Sequence, residues 1–209
     1  MKDIYESSQI DRGSNLSRSK SRGRSSAGKK SSGSGRLIFA AIVILVVLVA
    51  GYVMSQPPRE AGGVGNVAAD FSLPEVTSAG LSGQTVTLSS FRGQVVVLEF
   101  MVSWCHVCQQ MSSSIAYINE KYRDQGVVLL SVAGSQQGAT AESTVEFMKQ
   151  YGATWTHVLD TDNSVFTRYK VDATPTYLIV DRDGKILSRF QGLVSTDALS
   201  TAIELALQP

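Results

Sequence analysis

A chain of 209 residues with 43% hydrophobic and 18% charged residues has the composition of a folded protein with room for one ordinary domain plus appendages. The net charge of +1 hides a split: residues 1–36 carry nine Lys/Arg against three Asp/Glu, and the residues after Met54 carry ten against fifteen, net −5. That acidic balance excludes nucleic-acid binding by the larger part, and no internal repeat is present.

In chain order, residues 1–36 hold eleven Ser and five Gly with almost no large apolar side chains. Such a segment cannot offset its ordering entropy and is expected to be disordered. LIFAAIVILVVLVAGYVM, from Leu37 to Met54, follows with eighteen residues free of charge. As a helix it is about 27 Å long, close to bilayer thickness, so one transmembrane anchor is expected. A cleaved signal peptide is the competing reading, but the charged region before the apolar run is too long and no small-x-small cleavage site follows Ala50. Only Arg59 lies among the basic residues of the twenty positions after the run, so the positive-inside rule puts the amino terminus in the cytoplasm. The expectation is a single-pass protein of the cytoplasmic membrane whose C-terminal domain faces the periplasm or cell exterior. The basic arm then serves as a topology signal that can also touch anionic lipid headgroups.

SQPPREAGGVGNVAA, residues 55–69, has no apolar period and reads as a tether, with the folded domain over 70–209. QVVVLEFMV is a near-continuous apolar run of the kind found in a strand covered on both faces. Met111, Ile115, Ile118 and Tyr122 then recur at helical spacing until Gly126, and VVLLSVA, Val127 to Ala133, is a second buried strand. Strand, helix, strand at this spacing predicts a βαβ unit. ESTVEFMKQYG predicts a helix with Val145, Met148 and Tyr151 inward, WTHVLD a strand, and NSVFTRYKV another helix. TYLIVDRDGKILSRF predicts two strands around Asp183-Gly184, a hairpin signal. DALSTAIELAL closes the chain as a helix with Leu199, Ile203 and Leu207 on one face. The fold class is α/β, a mixed sheet with helices on both sides.

SWCHVC, Ser103 to Cys108, holds the only two cysteines. A closed zinc site needs four ligands, and the chain has only two His, of which His106 lies between the cysteines, badly placed to complete a tetrahedron. A purely structural disulfide across so short a loop contributes little stability. Redox chemistry is the remaining assignment. The pair sits between a buried strand and the first turn of a helix, where unpaired N–H groups and the helix dipole favour a thiolate. Cys105, nearer the helix start, is expected to have a depressed pKa and to act as nucleophile. Cys108 lies one turn later on the same face, placed to resolve the mixed disulfide.

Glu99 interrupts VVVLEFMV with a carboxylate where both faces of the strand should be dry. Burial raises a carboxyl pKa, and an acid poised near neutrality beside Cys108 can take that thiol's proton directly or through water. The alternative is a structural carboxylate at a sheet edge or paired by a cation.

These residues resemble the membrane-tethered TlpA/ResA-like thiol-disulfide oxidoreductases of the thioredoxin superfamily. The likeness runs over about 140 residues, from ADFSLPEV through TVTLSSFRGQVVVLEFMVSWCHVC to ATPTYLIVDRDGK and the last helix. It implies a thioredoxin fold with a TlpA-type helix-strand insertion over about 142–160, and, carried over by position, Cys105 as attacking cysteine, Cys108 as resolving cysteine and Glu99 as buried acid. Pro175 matches the family's cis-proline, which frees the backbone of Thr174 to pair with an extended substrate. Trp104 matches the aromatic residue flanking the site, with core packing as its other reading. The resemblance implies no cofactor beyond a redox-active Cys105–Cys108 disulfide, protein thiol or disulfide substrates, and a membrane thiol electron donor. Reduction of disulfides, in some members within cytochrome c maturation, is the implied activity. An extracytoplasmic oxidant or isomerase and a non-catalytic binding module are the alternatives. A peroxiredoxin is disfavoured because Val102 stands where that family has Thr or Ser, three residues before Cys105. The chain departs from the family by lacking proline within CHVC, by Met111 in place of an acid, and by Ser113 in place of a helix-kinking proline. His106 either stabilises the Cys105 thiolate when protonated or is an exposed helix-start histidine without that role, and His157, in an apolar strand, reads as structural.

Overall fold

A computed structural model describes residues 34–55 and 62–208 of the protein. The expected disordered basic segment, over its first 33 residues, and positions 56–61 of the expected tether lie outside the described residues. The chain divides into two units, residues 1–56 and 57–209. In the first, helix α1 spans Ser34–Ser55 and encloses the apolar run. Its described side chains, Ile38 to Tyr52, are exposed all round, from 45% at Val43 to 70% at Phe39. Among the described residues no helix is long and apolar enough to cross a membrane, so the expected anchor is not shown.

The second unit is a seven-stranded sheet of β1 Ser72–Thr77, β2 Gly80–Thr87, β3 Val95–Met101, β4 Val127–Gly134, β5 Thr156–Asp160, β6 Thr176–Val180 and β7 Ile186–Gln191. Its spatial order is β2-β1-β5-β4-β3-β6-β7. The pairs β3/β4 and β4/β5 are parallel and the other four are antiparallel. Helices α2 His106–Tyr122, α3 Ala141–Tyr151 and α5 Thr196–Leu207 contribute to the core on one face of this sheet. The short α4, Ser164–Arg168, covers the other.

Strand β3 shows why an uninterrupted apolar run suits the centre of such a sheet. Side chains alternate across a strand, so Val95, Val97 and Met101 enter the core under α2 and α5, while Val96, Leu98 and Phe100 enter the core with Phe166 and Tyr169. All seven residues of β3 are buried. Glu99 shares the parity of Val97 and Met101, which places it on the α2 face.

The βαβ unit forms as expected, with Cys108, Met111, Ile115, Ile118 and Tyr122 buried along α2. Helix α3 and strand β5 form as one excursion, and β5 inserts between β4 and β1. The inward face of α3 is corrected: Thr144, Phe147 and Met148 are buried, whereas Val145 and Tyr151 only lean on that core. Phe147 takes the central place, its ring 5.0 Å from that of Tyr151. On α5, Leu199 and Ile203 are buried and Leu207 packs at the margin. Helix α4 stops at Arg168, because Lys170 adopts a left-handed φ of 51°, a conformation that ends right-handed helix.

Two segments differ from the sequence reading. No strand is expected between Ser72 and Thr87, yet β1 and β2 form a hairpin there; β2 is exposed along most of its length, so it carries no apolar alternation to detect. The tether also ends earlier than residue 69. Gly65 N–H donates to Ile186 O at 2.8 Å, Ala68 N–H to Gly184 O at 2.8 Å, and Ile186 N–H to Asn66 O at 2.9 Å. These bonds satisfy the backbone around the start of β7, so the folded unit reaches at least to Gly62, whose carbonyl accepts from Arg189.

Candidate active site

The two cysteines lie where β3 gives way to α2. Cys105 is the N-cap of α2, and its Sγ accepts the backbone N–H of Cys108 at 3.2 Å. A sulfur thus occupies the place that Ser, Thr, Asp or Asn usually take at a helix start. Its thiol also points at the carbonyl of Thr174, 3.4 Å away. Cys105 keeps 7% of its surface and Cys108 only 1%, so Cys105 is the less deeply buried of the two. Both are free thiols.

The Thr174–Pro175 peptide is cis. Pro175 O accepts Gly192 N–H at 2.8 Å, which fixes the loop against the end of β7. Thr174 stays half-exposed beside Cys105. Trp104 is 47% exposed, and its Nε1 donates to Gln136 O at 3.1 Å. It precedes Cys105 in the chain and is not part of the core. His106 is exposed on the first turn and meets Gln110 at 3.2 Å. Helix α2 continues through Ser113 to Tyr122.

Glu99 lies under this surface, 4% exposed. Burial raises its carboxyl from 4.5 to about 7, partly offset by the hydroxyls of Ser131 and Tyr177, which favour the ionised form. Ser131 Oγ donates to Glu99 Oε2 at 2.5 Å. Tyr177 Oη has no hydrogen-bond partner of good geometry among the described residues, so Ser131 is the firmer of the two contacts. Burial pushes the Cys108 thiol well above the usual cysteine range, and contact with Cys105 and the charge of Glu99 add to that. The arrangement joins a sulfur at the helix start, a more deeply buried thiol that resists ionisation, and an acid raised toward neutrality.

Residues Tyr177, Glu99, Ser131 and His157 pair in register across β6, β3, β4 and β5. Of this row the sequence reading singled out only Glu99 and His157. Ser131 was legible as the one hydroxyl in VVLLSVA; Tyr177 carries no signal apart from its place after Pro175. A cavity of about 560 Å³, lined in part by Trp155, Met148 and Glu75, lies between α3 and β1 and touches neither cysteine.

The model of the AhpC/TSA family matches residues 64–189. The chain belongs to that family. It is 30% identical over 176 residues to the thiol-disulfide oxidoreductase ResA of Geobacillus kaustophilus (strain HTA426), covering 81% of this chain and 95% of the relative. The Bacillus subtilis (strain 168) ResA is 27% identical over 175 residues, covering 81% and 93%. Among solved structures, a Chlorobium tepidum chain assigned as the thiol:disulfide interchange protein DsbE superposes with a TM-score of 0.63 at 29% identity, covering 70% of this chain and 99% of that one. MTB DsbF does so with a TM-score of 0.57 at 26% identity, covering 65% and 94%. The protein is a thiol-disulfide oxidoreductase of the ResA and DsbE type on a thioredoxin-like α/β fold.

Proposed function

We propose that this AhpC/TSA-family chain is a membrane-tethered reductant of protein disulfides on the outer side of the cytoplasmic membrane, serving cytochrome c maturation. The observation that carries the reading is the pairing of Cys105 at the helix start with more deeply buried Cys108 beside Glu99. Cys105, as thiolate, attacks a substrate disulfide; one substrate sulfur leaves as thiolate and the other stays bonded to Cys105. Cys108 gives its proton to the Glu99 carboxylate and attacks Cys105 Sγ, which breaks the mixed disulfide and releases the second substrate thiolate. The protein ends as the Cys105–Cys108 disulfide, its dithiol oxidised by two electrons and the substrate disulfide reduced by two. That disulfide is the only redox group the reaction needs, and a membrane thiol carrier restores the dithiol.

One consideration supports the reducing direction. An oxidising compartment holds such a pair as disulfide unless electrons are delivered, and an anchor keeps the protein near a membrane donor. The exposed apolar side chains of α1 and the uncharged run from Leu37 to Met54 support the anchor. Equilibrating the dithiol with glutathione and thioredoxin buffers tests the direction. A potential near the thioredoxin value of about −270 mV is expected, and one near about −120 mV makes the protein an oxidant.

A further inference from the structure

Trp155 and Ser131 stand behind Glu99 in a buried polar chain that thiol exchange by itself does not require. Ser131 is fully buried and Trp155 is 7% exposed. Trp155 Nε1 donates to Ser131 Oγ at 2.7 Å, and Ser131 Oγ meets Glu99 Oε2 at 2.5 Å. An indole N–H only donates, whereas a hydroxyl has one proton to give. Were Glu99 to donate from Oε2, the Ser131 proton would be buried with no acceptor among the described residues. The arrangement that satisfies every group therefore runs one way, from Trp155 through Ser131 to Oε2.

The indole itself is braced. His157 Nδ1 lies 2.9 Å from Trp155 O, and its ring stacks on the indole at 5.4 Å and 29°. A carbonyl only accepts, so His157 carries its proton on Nδ1. Burial lowers its pKa to about 4, so it brings no charge to the row at neutral pH.

We propose that Trp155 and Ser131 are positioning residues that hold Glu99 Oε2 as a fixed acceptor, so that the proton taken from Cys108 is carried by Oε1. The inference rests on the proton-carrier role of Glu99. It makes the β4–β5 part of the sheet a determinant of the resolving step. The other groups acting on the carboxyl are Tyr177 from β6 and Cys108 at the start of α2, with Cys105 beside them. Burial and the Glu99 charge hold Tyr177 protonated. The Ser131 bond favours ionised Glu99, so its loss raises the carboxyl pKa.

The test follows the second phase of thionitrobenzoate release when the reduced full-length protein reacts with Ellman's disulfide, a phase that reports Cys108 attack on the mixed disulfide. The rate is expected to rise with pH through an inflection set by Glu99. Ser131→Ala should move that inflection upward by about one pH unit, the equivalent of one ordinary hydrogen bond, and Ser131→Thr should restore it. Trp155→Phe keeps the ring and removes the donor; it should move the inflection in the same direction by less. In a Glu99→Gln background, Ser131→Ala should change nothing further. An altered rate at every pH with an unmoved inflection in Ser131→Ala, or in Trp155→Phe should Ser131→Ala fail to fold, overturns the relay. An inflection that survives Glu99→Gln overturns the role of Glu99 itself.

Discussion

Glu99 is the residue at which stability and chemistry pull apart. A carboxyl whose folded pKa is raised from 4.5 to about 7 binds its proton more tightly in the folded state. The stability this brings is fully present below about pH 4.5 and is lost as pH rises through about 7. Glu99→Gln should therefore leave stability unchanged at pH 4 and raise it by about 3 kcal/mol at pH 8, while slowing disulfide exchange. Thermal melts at both pH values check the first part and insulin-type disulfide reduction the second. Lower stability at pH 8 with unchanged exchange would identify a structural ion. The cysteines divide their labour by exposure: Cys108→Ser should trap a mixed disulfide with substrate, whereas Cys105→Ser, which leaves only a buried thiol, should be inert. Non-reducing electrophoresis after incubation with a disulfide substrate distinguishes them.

At the scale of elements, the helices are fixed by caps and apolar faces that act on different steps. Helix α2 must hold both cysteines against β3, and it does so through Ile115 and Ile118, at 0% and 1% exposure. Ile115→Ala should cost about 2–5 kcal/mol by leaving a cavity between α2 and the sheet, measured by urea denaturation. Helix α3 begins with a capping box in which Thr140 and Ser143 satisfy each other's backbone; Thr140→Ala should cost about 1 kcal/mol. Ser143 Oγ also meets Ser103 Oγ at 2.8 Å, so α3 touches the loop that carries the dithiol. Those elements were legible where burial is two-sided or periodic: β3, β4, β6 and α2 announce themselves as apolar runs or stripes. The β1–β2 hairpin was not, because an exposed edge strand has no pattern to show. The row through Glu99 was half legible. A carboxylate in a dry strand is conspicuous in sequence, but Ser131 and Trp155 gain meaning only when β4 and β5 bring them together across 32 and 56 positions of chain.

For the whole molecule, the proposed function asks the apolar helix to act as a tether for the dithiol. A reductant in an oxidising compartment is useful only while a donor re-reduces it, and tethering turns that encounter into one within the plane of a membrane, raising the effective concentration of the partners. The charge distribution agrees with this. Nine basic residues precede the apolar run and the part beyond it carries ten against fifteen acids, so under the proposed topology the positive-inside rule keeps the arm at the cytoplasmic face. The proposed anchor rests on eighteen uncharged residues, and the proposed side of the domain on that charge count. A membrane-impermeant maleimide applied to reduced, intact cells should therefore modify Cys105, which keeps 7% of its surface, and spare Cys108, which keeps 1%. Cys105→Ser should abolish labelling. Modification that appears only after lysis would place the dithiol in the cytoplasm, and the extracytoplasmic function would fall with it.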